Sequence, residues 1–233
     1  MQEHFQEEIE ELKSNIIRMA SLVVEQVDKV ITALETGNIE LCKGIKSRDL
    51  EVDAYDNLIQ TQCENIIALF QPVATDLRLV MSVIMINNNL ERCGDIAVNI
   101  SQRVKKAGSE RSLIVESQII DMARAAQSML KNAIDSYISN DTDLASKVIL
   151  SDEKVDNLNK QLFNFLIIKM QSNQELIEAC THLVVMTRHI ERMADHATNI
   201  AENLVFFVEA KIIAHKKKLE RYVDNKKGED KID

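Results

Sequence analysis

Apolar and polar residues alternate in steps of three and four along nearly the whole chain. Ile9, Leu12, Ile16, Met19, Val23, Val27, Val30 and Leu34 form one such series, the stripe that an α-helix buries, and it stops at the turn signal Thr36-Gly37-Asn38. This predicts a first helix more than 30 residues long. A second is predicted over residues 39–70, ended by Gln71-Pro72 because the residue before a proline is pushed out of the helical region. A third covers 74–106, with Gly108 as its stop. A fourth opens near Ser112, carries Ile119, Met122, Ala126, Met129, Ala133 and Tyr137, and closes in the polar stretch Ser139-Asn140-Asp141-Thr142. A fifth spans 143–171, and a sixth runs from about 174 into the Lys-rich end. Thirty helical residues measure about 45 Å, and helices of that length joined by a few residues must pack antiparallel to their neighbours. The expected architecture is all-α: two tandem three-helix bundles, residues 1–108 and 109–215, followed by a charged tail over 216–233.

The two sets of three are related. ERCGDIAVNI (91–100) and ERMADHATNI (191–200) share six of ten positions, where random matching gives about one. The second helices rhyme as well, Asp49-x-x-Val52-Asp53 against Asp152-x-x-Val155-Asp156, so an internal duplication is expected.

Composition removes competing folds. Glycine (5) and proline (1) make 6 of 233 residues, which disfavours a turn-rich β-fold, and no two glycines lie within six residues of each other as a phosphate-binding GxGxxG or GxxxxGK loop demands. The net charge of −9 argues against broad contact with nucleic-acid phosphates. Cys42, Cys63, Cys93 and Cys180 form no CxxC and read as reduced, packed thiols, and no apolar run approaches the roughly 20 residues that cross a bilayer. A cytoplasmic protein is expected.

Candidate chemistry lies in repeated carboxylate pairs. Glu91/Asp95 and Glu191/Asp195 sit four residues apart on one helical face, each followed after four more by Asn99 or Asn199. The preceding helix of each half offers Asp49/Asp53 and Asp152/Asp156 at the same spacing. One such pair on a helix is ordinarily a solvated face neutralised by a neighbour such as Arg92 or Arg192. Two matched sets on opposed helices instead call for a cation or several arginines, because converging like charges are costly. In the first half Ile84, Asn88, Glu91, Asp95 and Val98 continue one three-four series, which places the acids on a core-facing seam. Oxygen ligands, with His196 the one nearby nitrogen, suit magnesium, manganese, calcium or iron better than a structural zinc. None of the five histidines has a Glu three residues before it, so the Glu-x-x-His signature of di-iron oxidase bundles is missing. His182 and His189 read as half-exposed, hydrogen-bonded side chains. No Ser/His/Asp or Cys/His set can be assembled.

The strings QPVATDLR (71–78), LERCGD (90–95) with Asn99-Ile100, and IERMADHATNIAE (190–202) closely resemble the PhoU family of phosphate-uptake regulators, over nearly the whole chain. The resemblance implies two three-helix bundles, no enzymatic activity and, as in some members, a multinuclear iron or other metal cluster on each motif pair. One cluster would use Asp49, Asp53, Glu91 and Asp95 with Asn99 adjacent; the other Asp152, Asp156, Glu191 and Asp195 with Asn199 adjacent. Iron is the leading expectation, with zinc, manganese, magnesium or calcium as alternatives, and the His196/Ile96 difference implies that the two clusters differ. The resemblance further implies repression of the phosphate-starvation (Pho) response and restraint of uptake, by linking the Pst ABC phosphate transporter to a PhoR-type sensor histidine kinase. A homodimer is expected. The alternatives are an accessory subunit of a low-affinity phosphate or metal permease, and a carboxylate-bridged metalloenzyme.

Overall fold

The computed structural model describes residues 2–107 and 110–211, all of it helix, turn or short connection, with no strand among the described residues. Helix α1 spans Gln2–Thr36, α2 Ile45–Phe70, α3 Ala74–Ala107, α4 Arg111–Glu116, α5 Ile119–Ser139, α6 Thr142–Ser172 and α7 Ile177–Glu209. Helices α1, α2 and α3 pack on one another as the first bundle and α5, α6 and α7 as the second, in agreement with the duplication read from the sequence.

Three predicted helices are interrupted. The expected 39–70 helix is a 3-10 turn, Ile39–Cys42, followed by α2, because Gly44 adopts a left-handed conformation (φ 78°) that no helix can propagate through. The expected 112–139 helix divides into α4 and α5 at Gln118, which is also left-handed (φ 60°). The sixth begins as a 3-10 turn, Gln174–Leu176, and its α-helical part ends at a left-handed Ala210. The expected tail, 216–233, lies outside the described residues. Other ends follow local chemistry: α1 stops at Gly37 (φ 77°), and Asp141 caps α6 by accepting from the N–H groups of Asp143 and Leu144 at 3.0 and 2.9 Å.

The halves share one core. Helix α3 lies along α7 in the most extensive helix pairing of the molecule, and α1 meets α5. Buried Leu79, Val83, Ile86, Leu90, Cys93, Ala97 and Ile100 of α3 belong to the same apolar cluster as Leu183, Met186, Ile190, Met193, Ala197 and Leu204 of α7. Polar contacts clasp the two bundles at the margins: Arg103 Nη1 lies 3.1 Å from His182 Nδ1, Lys131 pairs with Asp28 at 2.8 Å, and Arg111 donates to the carbonyls of Leu34 and Glu35 at the open end of α1. All four cysteines are buried and unpaired, as expected.

Candidate metal sites on the duplicated carboxylate motifs

Each half brings its second and third helices together so that acids of one act electrostatically on acids of the other. In the first half Asp95 of α3 acts electrostatically on Asp49 of α2, and Asp53 of α2 on Glu91 of α3. Burial raises the Asp49 carboxyl from its ordinary 3.8 to about 6, Asp53 and Asp95 add to the shift by repulsion, and the Gln26 amide beside it opposes them. Burial also raises Glu91, against the pull of Arg92, which lies 3.3 Å from Glu91 and 3.4 Å from Asp95. Asn99 turns its amide to the Asp95 carbonyl at 2.9 Å.

In the second half Asp152, Asp156, Asp195 and Asn199 line a cleft of about 660 Å³. Glu191 is held by Arg188 at 3.0 Å and does not line the cleft, yet its charge and that of Asp156 add to burial in raising the Asp195 carboxyl.

The core-facing seam expected from Ile84, Asn88, Glu91, Asp95 and Val98 is corrected here. Ile84 and Asn88 are exposed and the two acids half-buried, because the seam that faces inward is one step round the helix, through Val83, Ile86, Leu90 and Cys93. The acids border the core and open to solvent. His196 is likewise drawn away from them: its Nδ1 lies 2.9 Å from Asn89 Oδ1, to which Asn199 also donates at 3.3 Å, so it ties α7 to α3. His182 is hydrogen-bonded as expected, whereas the Nδ1 of His189 is buried without a partner.

Several site residues escaped the pairwise motif. Asp56 lies one turn beyond Asp53, raises Glu91, and is held by Asn87 Nδ2 at 2.6 Å. Glu153 and Glu202 line the second cleft. Asp56 and Glu202 stand seven residues after Asp49 and Asp195, two helical turns on the same face, and that spacing was legible. Gln26 comes from α1 and carries no sequence signal.

The donor set is oxygen throughout, the chemistry that Mg²⁺, Ca²⁺, Mn²⁺ and iron accept. In the first half five carboxylates lie near the Arg92 guanidinium, and the Gln26 side chain hydrogen-bonds Asp49. The residues fit a cation, although among the described residues no group of three acids, histidines or cysteines is already gathered for one ion. Burial pushes the thiols of Cys63 and Cys93 up to about 12, which suits packing rather than nucleophilic attack.

The PhoU domain model matches residues 16–104 and again 119–204, one match to each bundle. A phosphate-specific transport system accessory protein PhoU homolog of Aquifex aeolicus is 37% identical over 89% of this chain and 94% of its own length. Its counterpart from Clostridium acetobutylicum is 30% identical over 89% of this chain and 95% of its own. The crystal structure of PhoU from Pseudomonas aeruginosa superimposes with a TM-score of 0.82 at 28% identity, covering 89% of this chain and all (100%) of that one. That of the phosphate transport system regulatory protein PhoU from Streptococcus pneumoniae gives 0.81 at 26% identity, covering 91% and 100%. With both bundles matched to the same domain and most of the helical frame superimposing on solved relatives, the chain belongs to the PhoU family.

Proposed function

We propose that this protein is an accessory, non-catalytic regulator of a phosphate-specific transport system, restraining phosphate uptake and repressing the phosphate-starvation response. It acts as an adaptor between the cytoplasmic face of a Pst-type ABC transporter and a PhoR-type sensor kinase, as a homodimer. Its working units are the halves 1–108 and 109–215, with carboxylate-bound metal ions, iron foremost, ordering the face between the second and third helices of each. The observation that carries the role is the match of both bundles to the PhoU domain, with near-full coverage of relatives named as transport accessory proteins. The observation that supports the metal is the repeated pairing of acids across the second and third helices, where burial and mutual repulsion raise Asp49 in one half and Asp195 in the other. An adaptor also needs docking surface, and Leu50, Leu69 and Val73 are 67%, 73% and 74% exposed. No helix among the described residues is long and apolar enough to cross a membrane, so contact with a transporter would run through such surfaces.

Deletion of the gene is expected to derepress phosphate-starvation genes and raise uptake in phosphate-replete medium, and tagged protein is expected to co-purify with the Pst transporter. Unchanged expression and uptake at every phosphate level would overturn the role. Co-purification with a low-affinity permease instead would reassign the partner. Elemental analysis of protein purified without chelator tests the metal: several ions per chain are expected, lost in the Asp95→Asn/Asp195→Asn variant.

A further inference from the structure

Away from the carboxylate motifs, the two bundles meet around an apolar groove. Phe5, Ile9 and Ile17 of α1, Leu79 of α3, Ile138 of α5 and Phe207 of α7 line a cavity of about 330 Å³, a volume within the range of natural binding pockets. Ile17 and Ile138 are 38% and 50% exposed, so the groove opens to solvent. Its surroundings favour a cation. Helices α5 and α7 both end beside it, and neither carries a basic residue in its last turn to meet the negative end of its dipole. Asp76 lies in the lining, and the turns of α1 that form one wall carry exposed Glu3, Glu7 and Glu10. Lys13, the basic side chain of the lining, is matched already by Glu10 at 2.8 Å.

The chain carries a segment of the complementary chemistry. The described residues end at Lys211, four positions beyond Phe207, and Ile-Ile-Ala-His-Lys-Lys-Lys follows over 212–218. Residues 211–221 hold four lysines and one arginine against one glutamate, in a chain whose net charge is −9. The left-handed Ala210 (φ 54°) turns the backbone off the axis of α7 just before this segment. Reach is sufficient: seven extended residues span up to about 24 Å, and the groove runs along α1 from Phe5 to Ile17, about 18 Å of helix.

We propose that residues 212–218 of this chain dock in the groove, Ile212 and Ile213 on its apolar lining and Lys216, Lys217 and Lys218 beside Asp76 and the acids of α1. So placed, the segment closes the groove to any other chain until it is displaced. Tryptophan is absent from the sequence, so a single introduced one reports by itself. In the full chain Ile213→Trp is expected to emit at shorter wavelength than Ile232→Trp, near the far end of the same tail, and to be quenched several-fold less by acrylamide. Ile212→Trp repeats the measurement at the adjacent position in case the larger ring disturbs the first. Adding Ile138→Lys, which puts a cation on the groove, or Glu10→Lys, which removes an acid from its edge, is expected to abolish the protection; both positions are exposed, so the melting temperature of each variant should stay with that of its parent. Quenching of Ile212→Trp and Ile213→Trp equal to that of Ile232→Trp overturns the proposal, as does protection that survives both groove variants. Protection that grows with protein concentration overturns it in favour of a second copy as the seat of the segment. Protection that appears only on adding vesicles of phosphatidylcholine and phosphatidylglycerol overturns it in favour of a lipid contact.

Discussion

Asp49 shows what a single residue contributes to this fold and what it withholds. It sits where α2 meets α3, its carboxyl raised from 3.8 to about 6 by burial and by the charges of Asp53 and Asp95. A carboxyl whose pKa is higher in the folded state binds its proton more tightly there, so folding is favoured at low pH and that advantage is lost as pH rises from about 4 through 6. Asp49→Asn is therefore expected to stabilise the metal-free protein at pH 7.5 by about 1–2 kcal/mol, the full shift being discounted for partial exposure, and the gain should vanish near pH 4. Urea denaturation in chelator at the two pH values measures it; equal stability of variant and parent at pH 7.5 would show that the carboxylate is not strained by its neighbours. With metal bound the order should reverse, because the variant loses a charged ligand. Much of this candidate site was legible in the sequence: the ExxxD and DxxxD spacings named the four acids of each half, and a further look seven residues on would have added Asp56 and Glu202. Gln26 was not legible, since it lies on another helix, and only the fold brings its amide to Asp49.

At the scale of the elements, periodicity located nearly every helix and missed the breaks inside them. Stripes such as Ile9 to Leu34 report which face is buried, and they continue across a single left-handed residue almost unperturbed. The break at Gly44 separates a 3-10 turn from α2, and the break at Gln118 separates α4 from α5, although glycine marks only the first. The same backbone geometry thus stands once with the residue suited to it and once without. Gly44→Ala is expected to cost about 1 kcal/mol, because its φ of 78° crowds a Cβ, whereas Gln118→Gly, at a φ of 60°, is expected to gain about 0.5–1 kcal/mol. Thermal or urea unfolding of the two variants gives both signs. A loss of stability in Gln118→Gly would mean that the glutamine side chain, and not its backbone, holds the junction between α4 and α5.

At the scale of the whole molecule, a duplicated sequence could give two bundles that fold independently, like beads, or one body with two pseudo-equivalent sites. The packing favours one body. Helix α3 and helix α7 form the broadest helix pairing in the molecule, their apolar residues belong to one cluster, and ties between the bundles such as Arg103–His182 and Asp28–Lys131 hold their margins. Separating the bundles would expose apolar surface on the third helix of each, at about 25 cal/mol for every Å² returned to water. Unfolding should then be a single transition. Leu90→Ala in α3 and Ile190→Ala in α7 each remove a side chain that is 0% exposed, so each is expected to cost about 2–5 kcal/mol and to move that same transition as a unit. Two transitions, with Leu90→Ala shifting one and Ile190→Ala the other, would show that the bundles are energetically separate. A single transition has a functional corollary: a cation taken up in the first bundle stabilises the folded whole, second bundle included, by mass action alone. Mn²⁺ added to protein lacking the second carboxylate site should therefore raise the midpoint reported by probes in both halves equally, and hydrogen exchange of the buried amides of α6 measures whether it does.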